Sequence, residues 1–189
     1  MRPRRRPRHT ITPAQEFIAR EFPTLGLYPH DCSPLKFACA IEALRHAEGC
    51  KIELREHLTF DDGVFGMVCK EVGTEIYVIL YDPRRNPLVV LRTLYHELMH
   101  IYRRHRLKEI RLPSDLSPHA SLLPFGLSKG YIVTDDDDAE AEQLGAAATI
   151  YTLGDDEAWP AWPEEEESSF GQFFAGPFRR SLRRFLGRR

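Results

Sequence analysis

Apolar residues along the chain keep one period up to Gly49, take another from Lys51, and return to the first after Asn86. Phe17, Ile18 and Phe22 recur at helical spacing behind Thr12-Pro13-Ala14-Gln15. There threonine can cap, proline can take the first helical position and Gln15 can reach back to the cap. Ser33-Pro34 repeats the start signal, and Phe37, Ile41 and Leu44 continue a period near 3.6 until Gly49 stops it. Ile52 and Leu54 then alternate with Lys51, Glu53 and Arg55, as in a half-buried strand. Val64 to Lys70 and Glu75 to Asp82 read as two more strands, with turns at Asp61-Asp62-Gly63 and Glu71-Val72-Gly73. The expected arrangement is a three-stranded antiparallel meander. Asn86-Pro87 opens the longest helix, expected to run to about Leu107. A connection carrying Pro113, Pro118 and Pro124 follows. Thr134 caps the last helix, Gly154 ends it, and Asp135 to Asp138 set carboxylates at its positive end. These elements predict an α+β fold, a small three-stranded antiparallel sheet packed with helices, over residues 12–155.

Composition changes this picture little. The 189 residues suit one domain with its own core, and a hydrophobic fraction of 42% argues against wholesale disorder. The net charge of −2 hides a segregation of sign. Residues 2–8 hold five arginines, 179–189 hold six, and 135–167 hold thirteen acidic side chains. Such blocks mark solvated faces or tails, so residues 1–11 read as a basic flexible arm and 156–189 as an acidic linker and basic tail. Weak, unspecific nucleic-acid contact through the arginines is a further reading of the same charge. No apolar stretch follows the first arginines as in a secretion signal, and no run is long enough for a membrane span. Cys32, Cys39, Cys50 and Cys69 form no Cys-x-x-Cys pair. A cytoplasmic protein with reduced thiols is expected.

The chemistry concentrates at His96-Glu97-Leu98-Met99-His100. At about 100° per residue, both histidines lie on one helix face and can share a metal, while Glu97 can take a proton from water the metal activates. Leu91, Leu94, Leu98 and Ile101 make the helix buried on one side, as a site-bearing helix should be. A catalytic zinc needs a third protein ligand and an open fourth position. His105 is a poor donor on a continuing helix, about 180° round from His96. The last helix offers Asp138 and Glu142 on one face, beside Ala141 and Gly145, whose small side chains allow close approach; Glu140 points nearly opposite.

Tyr81-Asp82-Pro83, the run from Leu91 to His100, and Asp138-Ala139-Glu140-Ala141-Glu142-Gln143-Leu144-Gly145-Ala146 resemble the ImmA/IrrE family of metallopeptidases over about residues 35–152. The resemblance implies a gluzincin-like site: Zn2+ on His96, His100 and an acidic ligand from the following helix, with Glu97 catalytic. That ligand usually opens a Glu-x-x-Ala-Asn/Asp pattern. This chain has Asp138 at the ligand position and Glu142 where Asn or Asp is usual, so Glu142 and Glu140 stand as alternative ligands and Glu142 also as a supporting residue. Such enzymes typically cleave a helix-turn-helix repressor and release stress or mobile-element genes, which makes a protein of that kind the expected substrate. The rival readings are a zinc hydrolase of a non-protein substrate and a non-catalytic regulatory or binding module with structural zinc. Tyr95, Tyr102, Tyr131, His105 and His119 are candidates to stabilise an oxyanion. Phe178, Leu182 and Phe185 outline a basic amphipathic tail, and Trp159 and Trp162 sit in the linker.

Overall fold

In a computed structural model, which describes residues 11–29, 34–60, 64–125, 127 and 134–153, the first helix forms as its start signal predicts. α1 (Pro13–Glu21) opens on a full capping box: Thr12 accepts from the Gln15 backbone, and the Gln15 side chain accepts from the Thr12 N–H. α2 (Pro34–Glu48) ends where Gly49 takes a φ of 64°, which suits glycine. Ile18, Phe22, Phe37, Ile41 and Leu44 are all buried in one cluster.

Four strands follow, and their order departs from the expected meander. They are β1 (Lys51–Glu56), β2 (Gly66–Glu71), β3 (Ile76–Tyr81) and β4 (Glu109–Ile110), arranged β1-β3-β2-β4. Only β2 and β3 form the expected antiparallel hairpin, closed by a turn in which the Thr74 N–H donates to the Glu71 carbonyl and Gly73 takes a φ of 71°. β1 lies parallel to β3, in register from Lys51↔Ile76 to Glu56↔Tyr81, and β4 pairs parallel with β2. Apolar content explains the order. β3 reads Ile-Tyr-Val-Ile-Leu-Tyr and is buried from Val78 to Tyr81, so it takes a position flanked by strands on both sides. β1 carries charges at Lys51, Glu53 and Arg55 and suits an edge. No tight turn joins β1 to β2 either, because residues 57–65 intervene.

The helices cover one face of the sheet, packing against Ile52, Val68, Ile79 and Tyr81. The other face, with Met67, Cys69, Val78 and Leu80, is covered by Ile110, Leu112, Leu122 and Leu127. The proline-punctuated connection is therefore a layer of the core, each buried leucine contributing about 1.5–3 kcal/mol. β3 serves both faces because successive side chains on a strand point oppositely.

α3 (Pro87–Tyr102) starts with Asn86 accepting from the Leu88 N–H, as expected, but stops five residues before Leu107. Arg104 adopts a φ of 56°, and two bonds close the end: Arg104 N–H to the Ile101 carbonyl, and His105 N–H to the His100 carbonyl. This is a Schellman closure with arginine in the place usually taken by glycine. α4 (Asp135–Leu153) begins at Thr134, whose hydroxyl accepts from the Asp137 N–H. No helix among the described residues is long and apolar enough to cross a membrane. Both arginine blocks, the tryptophan linker, Cys32, Tyr131 and the Asp61–Gly63 turn lie outside the described residues.

Candidate metal centre

Two glycines set α3 in place. A Cβ at Gly66 would stand 2.4 Å from Thr93 Cγ2, so the missing side chain lets α3 settle onto β2. A Cβ at Gly145 would stand 2.9 Å from both the backbone N and the Cα of His96, so α4 lies backbone to backbone against α3 there. Asp138 and Glu142 precede Gly145 by seven and three residues on the same helical face. The close approach therefore delivers their carboxylates to the histidines.

His96, His100 and Asp138 converge as a group able to hold a metal ion. His96 Nε2 is 3.1 Å from His100 Nε2 and 3.4 Å from Asp138 Oδ1, and His100 Nε2 is 3.9 Å from that oxygen. A cation equidistant from the three atoms would lie about 2.0 Å from each if in their plane and somewhat farther if above it, a range that includes the bond lengths zinc makes with imidazole and carboxylate (about 2.0–2.2 Å). No fourth His, Cys, Asp or Glu joins the group among the described residues. The Asp138 side chain is 63% exposed, so the cluster opens to solvent on that side.

Neither alternative carboxylate joins the cluster. Glu142 forms an ion pair with the buried Arg92 and places its other oxygen 3.3 Å from His96 Nδ1, behind the ring, where the supporting role expected of it would be played. Glu140 contacts Arg103 and His105. His105 was read as lying far round a continuing helix. Because α3 ends at Tyr102, the chain turns back and sets His105 Nδ1 2.9 Å from His100 Nδ1. This contact was missed at the sequence level, although the apolar stripe stopping at Tyr102 before Arg103-Arg104-His105-Arg106 was a sign that the helix ends there.

Glu97 is buried at 6% exposure. Burial pushes its pKa up to about 7, against the pull of His96. Burial also acts against charge on His96, but Asp138 and Glu97 outweigh it and hold that pKa above the ordinary value. His100 goes the other way, lowered to about 3 by burial and by its histidine neighbours. The His96 hydrogen bond keeps the Asp138 carboxyl below its usual range. A neutral imidazole and an ionised carboxylate are the forms that bind metal.

The oxyanion candidates fare less well. Tyr95 packs in the core against Phe22 and Phe37, the Tyr102 hydroxyl donates to Glu21, and His119 is exposed. Cys50 and Cys69 are buried, and burial raises Cys69 to about 12, which makes it a poor nucleophile.

In comparisons with known proteins, no family model, no curated protein and no solved structure matches the chain.

Proposed function

We propose that this chain is a zinc metallopeptidase in which His96, His100 and Asp138 hold the metal and Glu97 is the general base. One observation carries the reading: three donors converge at metal-binding distances on a side open to solvent, beside a buried carboxyl. A structural zinc site is closed by a fourth protein ligand, whereas a catalytic one leaves that position open. Zinc held there would supply Lewis acidity toward water and toward a substrate carbonyl. Glu97 takes the proton of the attacking water and passes it to the departing amine. The motif resemblance to the ImmA/IrrE family supports a protein substrate, and a helix-turn-helix repressor in reduced, cytoplasmic surroundings is the most specific form of the proposal.

The test is zinc content and proteolysis of the full chain. Wild type and Glu97→Gln should each hold about one zinc. Only wild type should generate new N-termini in a proteome-derived peptide library read by mass spectrometry. Equal cleavage by both would remove Glu97 from the mechanism, and cleavage by neither would leave a non-catalytic zinc module as the better reading.

A further inference from the structure

We infer that His105 and Glu140 are positioning residues that fix the imidazole of His100 in its metal-binding form. The inference rests on the metal site proposed above and adds the device that aligns it. Behind His100, whose side chain is 2% exposed, a line of three groups runs out of the site. His100 Nδ1 lies 2.9 Å from His105 Nδ1, and His105 Nε2 lies 2.8 Å from Glu140 Oε2. Arg103 pairs with the same Glu140 at 2.9 Å and holds it from the other side.

The chemistry of these groups leaves one proton arrangement for neutral rings. An ionised carboxylate only accepts, so His105 Nε2 carries the proton that Glu140 receives. The other nitrogen of His105 is then bare and accepts from His100 Nδ1–H. That leaves His100 Nε2 bare on the side facing His96 and Asp138, where a ligand lone pair is required. Glu140 thus selects the tautomer of His100 through His105, as an outer partner of a metal-bound histidine does.

The backbone supports the same reading independently. His105 reaches His100 because Arg104 takes the left-handed conformation, which residues with a Cβ rarely adopt. The Glu140 contact then comes from α4, which also carries Asp138. One helix thereby supplies both the acidic donor and the support for the opposite ligand.

The experiment compares wild type, His105→Phe, His105→Asn and Glu140→Gln by zinc competition against a chromogenic chelator, with 15N NMR of the histidine rings in metal-stripped wild type. Phenylalanine fills the ring volume without an acceptor and should weaken zinc binding about 10–100-fold. Asparagine restores an acceptor near the Nδ1 position and should recover most of that loss; Glu140→Gln should lose less than His105→Phe. The spectrum should show His100 protonated at Nδ1 and His105 at Nε2. Wild-type affinity in His105→Phe, an equal loss in His105→Asn, or a proton on His100 Nε2 would each overturn the inference. The spectrum decides even if His105→Phe does not fold. Wild type that takes up no zinc would instead overturn the metal site itself, and that is seen before any variant is compared.

Discussion

His96 and His100 are the same residue one helical turn apart, yet they stand in opposite surroundings. His96 is 16% exposed, faces Asp138 at 3.4 Å and has the carboxylate of Glu142 behind it; burial opposes charge on its ring, but Asp138 and Glu97 outweigh burial and favour its protonated form. His100 is 2% exposed, backed by the ring of His105, and burial drives it toward the uncharged form. The difference arises from what packs against each. α4 crosses α3 at His96 through Gly145, bringing carboxylates, whereas the end of α3 folds back on His100 and brings an imidazole. Two neighbouring histidines of one cluster are therefore held by unlike means, one beside carboxylates and one beside an imidazole.

The sharpest way to break this pair is to remove it. His96→Ala with His100→Ala should abolish the one zinc per chain, measured by elemental analysis, and equal zinc in mutant and wild type would end the metal reading. Next in size, Asp138→Asn should weaken zinc binding by at least about tenfold, because a neutral amide replaces an anionic ligand. Glu142→Gln should cost less than Asp138→Asn, since Glu142 sits behind His96 rather than in the cluster. A chelator titration across both variants ranks them, and a larger loss in Glu142→Gln would exchange their roles.

Gly145→Ala tests the packing that makes His96 the ionic member. The added methyl would meet the His96 backbone at 2.9 Å, and both neighbours belong to helices that must part for it. A loss of about 1–3 kcal/mol in denaturant unfolding is expected from such overpacking, with weaker zinc binding as Asp138 withdraws. Unchanged stability would mean that α4 does not press on α3 there.

The smallest effect separates the two histidines by sign in metal-stripped protein. The His100 pKa is depressed to about 3 from 6.5, so its contribution to stability is complete above pH 6.5 and falls as the pH drops through the range below. His96 is raised, so its contribution is complete below pH 6.5 and falls as the pH rises through its folded value. His100→Gln should therefore flatten the loss of stability from pH 7 to pH 5.5 by roughly 1 kcal/mol, and His96→Gln should flatten a loss on the alkaline side. Shifts of the same sign in both variants would erase the contrast.

Local signals were legible in the residues themselves. The capping box at Thr12-Gln15, the stop at Gly49, the start at Asn86-Pro87 and the Thr134 start of α4 all rest on contacts within a few residues, and each forms as read. The shared face of Asp138, Glu142 and Gly145 follows from helical spacing alone, as does the placing of His96 and His100 one turn apart. The strand order was not legible, because alternation and turns say where strands lie but not which edge of β3 accepts β1. The end of α3 escaped for a related reason: arginine rather than glycine holds the left-handed position, so the stop of the apolar stripe at Tyr102 is the one local sign of the turn.

By itself, then, the sequence determined the elements, the helix that bears the histidine pair and the set of carboxylates available to it, since these depend on local periodicity and capping. Only the tertiary structure decided which carboxylate meets the histidines and that His105 returns to stand behind His100. Both outcomes depend on how closely two helices approach and where one of them stops. That approach is set by a missing Cβ at Gly145, and that stop by bonds closing around Arg104, contacts whose geometry no spacing along the chain encodes.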